Sequence, residues 1–284
     1  MGLVLAVLAT GDYRMKAVLL EELSWKDIEE YLANQDLILL PIGSIEQHGP
    51  HLPLATDSII AQYIAQRAAM ECEVLVAPVI KYAISLNHID FPGTLSLQPE
   101  TLIQVAVDVC RCLSHHGFKK ILIVNGHGGN NATIDVAIIK LKGQLRDTII
   151  GQVYPGHLPK ECEGVLEDDI RAHADEGETS RILAAAPQLV DMKRAKQEIP
   201  FSSSRLFSFQ TSKILSQTTS YGLPRTKSVT QSGIFGNALL ATPEKGKKLF
   251  EGEIKELVRE IERLKAVDMK DYTEGGARLG KSPI

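Results

Sequence analysis

The stretch Leu37-Ile38-Leu39-Leu40-Pro41-Ile42-Gly43-Ser44-Ile45-Glu46-Gln47-His48-Gly49-Pro50-His51-Leu52-Pro53-Leu54-Ala55-Thr56-Asp57 decides how the rest of the sequence is read. Its opening apolar run predicts a buried strand of a parallel sheet. A glutamate, a histidine and an aspartate then arrive in a turn stiffened by Pro50 and Pro53. Carboxylate oxygens and imidazole nitrogens together form the ligand set of a borderline divalent metal such as zinc or manganese. Glu46 and His48, two apart, point the same way in an extended segment, and Asp57 returns where a helix should start. Taken alone, the same letters also suit a polar turn with a capping aspartate.

Outward from this turn, apolar and amphipathic runs alternate. Helical patterns cover Trp25 to about Asn34, Ser58 to about Met70, residues 99–116 and Asn131 to about Leu145. Strand patterns cover 36–42, Glu73 to Val79, Lys119 to Val124 and Thr148 to Val153. This order predicts parallel βαβ units, and so an α/β fold with a largely parallel sheet flanked by helices on both faces. Beyond residue 154 the pattern loosens. Residues 174–186 and Glu244 to about Ala266 read as helices, and the Ser/Thr/Gly-rich segment 196–235 reads as a lid, an interface segment or a mobile loop. We expect one domain over residues 15–284, preceded by an apolar N-terminal extension at 1–14 that lacks a basic n-region and is too short to span a bilayer.

The 284 residues are 44% apolar and 23% charged, the composition of a globular protein. A net charge of −4 gives no electrostatic case for nucleic acid or an anionic membrane as partner. Cys72, Cys110, Cys112 and Cys162 show neither a disulfide framework nor zinc-ribbon spacing, which predicts reduced, buried thiols in a cytoplasmic protein.

Two later stretches strengthen the metal reading. In Ile121-Leu122-Ile123-Val124-Asn125-Gly126-His127-Gly128-Gly129-Asn130-Asn131 a strand ends in a glycine-rich turn and a helix begins. Ligands of open α/β sheets bind beyond the carboxyl ends of strands, where His127 sits. The N–H groups of Gly128 and Gly129 can approach a substrate closely and stabilise a developing oxyanion. In Arg171-Ala172-His173-Ala174-Asp175-Glu176-Gly177-Glu178-Thr179-Ser180, His173 and Glu178 are five apart, roughly 140° around an ideal helix. They face one cleft only if His173 lies in the entry loop and Glu178 in the first turn. Asp175 with Glu178 also fits a capping box. Three His/carboxylate stretches together point to a hydrolytic metal centre, in which a carboxylate can bridge two ions and a neighbouring histidine can shuttle a proton. His88, beside Asp90 and the turn Phe91-Pro92-Gly93-Thr94, is a candidate lining of the substrate pocket. His51 reads as a supporting turn residue, His115-His116 as a helix end before Gly117, and His157 has no assignment. Ser44 lacks the Gly-x-Ser-x-Gly elbow of a serine nucleophile.

The motifs Gly43-Ser44-Ile45-Glu46-Gln47-His48-Gly49-Pro50-His51-Leu52-Pro53 with Thr56-Asp57, Phe91-Pro92-Gly93-Thr94, Asn125-Gly126-His127-Gly128-Gly129-Asn130, and His173 to Glu178-Thr179-Ser180 resemble, in this order, the creatininase (creatinine amidohydrolase) family. The resemblance implies a single α/β domain, a dinuclear centre of zinc or manganese (iron being the alternative) and a homohexamer. It implies Glu46, His48, Asp57 and His127 as metal ligands, with Asp57 as the bridge and His173 as the proton-transferring residue. The chain departs from creatinine-hydrolysing members at four positions: Gly129 replaces a carboxylate ligand, Gly128 an aromatic residue, Asp169 a tryptophan and Ala172 a glutamate. Glu178 is then the candidate ligand of the second metal, and creatinine itself is disfavoured as substrate. The expected activity is metal-dependent hydrolysis of an amide or cyclic-amide C–N bond in a small polar metabolite. The alternatives are a formamide deformylase of the same family and a catalytically silent metabolite-binding member.

Overall fold

The computed structural model describes residues 18–155, 159–170, 172–199 and 225–274. The expected extension at 1–14, His157 and residues 200–224 of the Ser/Thr/Gly-rich segment lie outside them. Four parallel strands, β1 (Leu37–Ile42), β2 (Leu75–Val76), β3 (Lys120–Asn125) and β4 (Ile149–Val153), form a sheet in the order β2-β1-β3-β4. Every residue of β1 is buried, and alternate side chains enter two different cores. Leu37 and Leu39 pack with Ile64 and Ala68 of α2 (Thr56–Cys72), Ile182 of α5 (Glu176–Ala185) and Leu257 and Ile261 of α6 (Pro243–Lys265). Ile38, Leu40 and Ile42 pack with Tyr31 of α1 (Trp25–Leu32), Val107 of α3 (Pro99–His116) and Ile134 and Ala137 of α4 (Asn131–Gln144). Covering both faces is what makes the strand an unbroken apolar run rather than an alternating one.

The strand order places the carboxyl ends of β1 and β3 side by side while their chains depart in opposite directions, to β2 and to β4. Such a switch point leaves a crevice where neither crossover covers the sheet edge. Both histidine-bearing turns open into it.

Two expectations need correction. The second strand is two residues long rather than seven, because Pro78 has no N–H for the ladder, although Ala77 and Ile80 still donate to Leu39 O and Pro41 O. Pro41 is tolerated inside β1 because its missing donor faces this side, where β2 has already ended. Cys112 is exposed on α3, whereas Cys72, Cys110 and Cys162 are buried. The other helices fall close to their predicted spans. Ser24 and Asp27 form a reciprocal capping box at α1, and Gly117 ends α3 with φ +114° after His115 and His116. A small antiparallel pair, β5 (Gln197–Glu198) with β6 (Gly236–Asn237), lies near the switch point, and α7 (Met269–Glu274) ends the described chain. Among the described residues no helix is long and apolar enough to cross a membrane.

The helix that carries Glu178 is tied to α6 by a buried ion pair, in which the Arg181 guanidinium donates through Nε and Nη2 to Glu253, with side chains 8% and 1% exposed. Removing one partner strands the other charge. Arg181→Met should therefore cost about 3–5 kcal/mol at neutral pH in urea unfolding. Burial gives the stranded Glu253 carboxyl a folded pKa above its unfolded one, so the loss is full only above the folded pKa, shrinks as pH falls between the two, and is gone below the unfolded pKa. Arg181→Met/Glu253→Met should recover most of it. An unchanged unfolding midpoint in the single variant would refute this account of the α5–α6 contact.

Candidate metal centre

Two glycines at adjacent strand ends let the centre form. A Cβ on Gly43, just after β1, would lie 2.4 Å from Ser58 Cα, and one on Gly126, just after β3, 2.4 Å from Asp57 O. Without side chains there, the first turn of α2 reaches the switch point and delivers Asp57 between the two turns. The Asp57 carboxylate is 2% exposed and is shared. Its Oδ1 lies 3.1 Å from His48 Nε2, while Oδ2 lies 2.9 Å from His127 Nδ1 and accepts from Ser44 Oγ at 2.6 Å. The Ser44 hydroxyl therefore steadies a carboxylate and is no nucleophile.

Glu46 is fully buried, and neither of its carboxylate oxygens has a hydrogen-bond partner. Imidazoles ring it: His127 Nε2 at 3.3 Å from Oε2, with His88 Nε2 at 3.5 Å and His173 Nδ1 at 3.6 Å from Oε1. Glu178 reaches the other flank, its Oε2 3.6 Å from His48 Nε2. Glu46, Asp57 and His127 thus form one set of donors close enough to hold an ion, and His48, His173 and Glu178 a second. Glu46, His88 and His173 form a third. An orphaned buried carboxylate beside such donors fits a divalent cation.

The outer contacts orient the rings for that task. His48 Nδ1 donates to Glu46 O at 3.0 Å, and His127 Nε2 to Ile84 O at 2.8 Å. Each nitrogen that faces Asp57 is thereby the one a metal would take, the usual arrangement of a carbonyl behind a ligand histidine. Asn125 and Asn130 brace the glycine turn: Asn125 Oδ1 accepts from His127 N, and Asn130 holds Gly43 O and Ile84 N.

Electrostatics divide the histidines. Burial alone would strip charge from His48, yet Asp57 and Glu178 hold it up at about 10. Burial likewise opposes charge on His127, and Glu46 and Asp57 raise it to about 9. Asp57, buried but flanked by both rings, is held well below its ordinary value. Burial raises Glu46, and pushes Glu178 up to about 7. Burial and the charge on His48 lower His88 to about 3 and hold His173 well below its usual range. Two imidazolium protons thus supply, in the metal-free protein, the charge a dication would bring.

The sequence-predicted residues Glu46, His48, Asp57, His127, His173 and Glu178 all converge here. Only half of the capping box forms: Asp175 Oδ1 accepts from Glu178 N, but the Glu178 carboxylate turns to Ala174 N and the centre. Ala174 makes this possible with a left-handed φ of 49°, which turns His173 inward and aims its own N–H at Glu178. His88 faces Glu46 rather than solvent, and His51 is buried, hydrogen-bonded to Thr179 at 2.8 Å. Gly128 and Gly129 are exposed beside His127, and Asp169 is exposed. A Cβ on Gly129 would lie 2.4 Å from His127 Nε2, so a side chain there conflicts with the His127–Ile84 bond. Sequence reasoning missed Gln47, which touches both His88 and His173. It also missed Tyr154, one residue beyond β4, whose hydroxyl lies 3.3 Å from where a Gly128 Cβ would stand. The signal for Tyr154 was its position at a strand's carboxyl end. Gln47 also lines a cleft of about 560 Å³ together with Pro50, Leu54, Phe91, Lys196 and Ser232.

Fold and donor set together define an α/β metal-binding protein with its centre at a switch point. The chain belongs to the creatininase family, whose sequence model, described as creatinine amidohydrolase, matches residues 21–261. Creatinine amidohydrolase of Pseudomonas putida is 33% identical over 213 residues, covering 65% of this chain and 78% of that protein. Mycofactocin precursor peptide peptidase of Mycobacterium tuberculosis is 28% identical over 265 residues, covering 89% and 95%. The crystal structure of a creatinine amidohydrolase (creatininase) aligns with a TM-score of 0.75 at 26% identity, covering 89% of this chain and 100% of that one. A manganese creatininase and a Zn–Zn mutant creatininase, both 26% identical, align at 0.72 and 0.73, covering 87% and 88% of this chain and 99% of each.

His48 and His127 carry protons below about 9 in the metal-free protein and must lose them to coordinate an ion. Zinc uptake at pH 8 should therefore release about two protons per chain, measured by titration calorimetry in buffers of different ionisation enthalpy. Because protons compete for the same nitrogens, affinity should climb as pH rises and flatten once both rings are neutral. Uptake without proton release would show that these rings are not the ligands.

Proposed function

We propose that this protein hydrolyses an amide or cyclic-amide C–N bond of a small polar metabolite at a pair of divalent metal ions. As a creatininase-family member it is a hydrolase of C–N bonds. The observation that carries the reading is Glu46, a buried carboxylate whose oxygens no donor satisfies. Glu46, Asp57 and His127 would hold one ion, and His48, Asp57 and Glu178 the other, with Asp57 offering one oxygen to each side. The manganese and Zn–Zn relatives support zinc or manganese as the metal. Such ions supply Lewis acidity toward a carbonyl and lower the pKa of water to about 7.

The chain's own groups do the rest. His173, neutral and 3.6 Å from Glu46 through Nδ1, takes the proton of the attacking water and passes it to the departing nitrogen. Glu178, which burial pushes up to about 7 in the metal-free protein, would give up that proton on taking the second ion. His88 and the Gly128 and Gly129 N–H groups orient the carbonyl oxygen. The cleft that Gln47 lines gives room for a metabolite larger than a single small ring. With Asp169 and Ala172 in place of the aromatic and acidic groups of creatinine-hydrolysing members, creatinine is a poor fit. The reading includes a homohexamer in the cytoplasm. Val136 and Ile139, 43% and 68% exposed on α4, are apolar surface that an assembly would cover.

A screen of amides, formamides and cyclic amides, with zinc and manganese each supplied, tests the activity. His127→Ala and Glu46→Gln should each lose metal and lower turnover by more than about 100-fold. Near-normal metal content and turnover in His127→Ala would overturn the assignment. Formate as product would identify a deformylase, and metal well below one per chain without turnover a silent binder.

A further inference from the structure

Gln47 lies between two of the proposed ligands in sequence, is 4% exposed, and makes contacts that settle where protons sit on two histidines. Its Oε1 accepts from Gly49 N at 2.9 Å, which fixes the opposite end of the amide as the nitrogen. That Nε2 lies 2.7 Å from His88 Nδ1, 3.0 Å from His173 Nε2 and 3.2 Å from Gly233 O. An amide nitrogen has two protons for these three neighbours and accepts none. The Gln47 backbone decides between them. Its carbonyl oxygen lies 2.7 Å from His173 Nε2, and a carbonyl only accepts, so His173 Nε2 carries a proton and donates it there. The amide protons therefore go to Gly233 O and to His88 Nδ1.

It follows that His88 Nδ1 is bare and its proton is on Nε2, the nitrogen facing Glu46 Oε1 at 3.5 Å. His173, with its proton on Nε2, turns a bare Nδ1 toward the same oxygen at 3.6 Å. The seat of the amide is built for this purpose: Gly233 has φ +84°, and a Cβ there would lie 1.9 Å from Gln47 Oε1. We propose that Gln47 is a positioning residue that fixes both rings as Nε2–H tautomers, so that His88 presents a donor and His173 a lone pair to the reacting centre. The donor suits a carbonyl oxygen gaining charge, and the lone pair suits the proton of attacking water. The same assignment removes the Glu46–His88–His173 set as a third cation site, because His88 Nε2 has no free lone pair.

The role of the two rings rests on the amidohydrolase reading; their tautomers do not. The test is two-bond ¹H–¹⁵N correlation of zinc-loaded protein labelled at histidine, in which shift patterns distinguish Nε2–H from Nδ1–H rings. Wild type should show both His88 and His173 as Nε2–H. Gln47→Glu, whose carboxylate accepts where the amide donated, should move the His88 proton to Nδ1. Gln47→Met should keep the metal content while lowering kcat by about tenfold or more with KM nearly unchanged. A wild-type His88 resonance of the Nδ1–H type, or a His88 pattern unmoved by Gln47→Glu, would overturn the proposal. Should a variant fail to fold, the wild-type spectrum decides alone. A wild type that hydrolyses no amide but shows the expected tautomers would refute the amidohydrolase reading and leave this assignment standing.

Discussion

Taking an ionised carboxylate out of water costs several kcal/mol unless positive charge or hydrogen-bond donors replace the solvent. Glu46 is buried completely and neither oxygen has a well-formed hydrogen bond, the nearest imidazole nitrogens standing 3.3 and 3.5 Å away. Asp57, a few ångströms away, is as deeply buried but holds Ser44 and two imidazoles. The difference locates the demand for a cation: one carboxylate is satisfied by the protein and the other is left for something else. The surrounding architecture, from the glycines that admit α2 to the ion pair that fixes α5, serves to keep these two groups at a fixed separation.

That separation is maintained largely by backbone. Glu46 O, Ile84 O and Gln47 O each receive one imidazole nitrogen, from His48, His127 and His173 respectively. Main-chain carbonyls in braced turns move less than side chains, so the far nitrogen of each ring is pinned and the near one aimed. The aim is also independent of most side-chain identities in these turns. What the turns demand instead is the absence of a side chain, at Gly43 and Gly126 against α2 and at Gly129 against His127.

Much of this was legible in the amino-acid sequence. The apolar runs at 37–42 and 120–125 announce doubly covered strands, and the ligand-type residues follow each one directly. The meeting of His173 with Glu178 was legible only as a condition, since five residues on a helix point apart; the left-handed Ala174 that brings them together leaves no mark in composition or periodicity. The short β2 reflects a local conflict, with Val-rich letters calling for a strand and Pro78 denying it a donor. Cys112 escaped because α3 is patterned by face, and residues two apart on a helix fall on different sides. Gln47 was invisible because its importance lies in His88 and His173, far away in sequence, to which no local spacing rule refers, whereas Tyr154 was marked only by its place just beyond a strand.

The donors are also spread along the chain, from Glu46 on the turn after β1 to Glu178 on the first turn of α5. Short chelating motifs can gather an ion's ligands locally, whereas a set scattered this widely comes together only when the fold brings the strand ends and α5 to one place. Ion capture at such a site draws on the folded arrangement rather than on any short stretch of chain. Its free energy then accrues wholly to the finished molecule, which makes occupancy a proofreading signal that only correctly assembled copies can give.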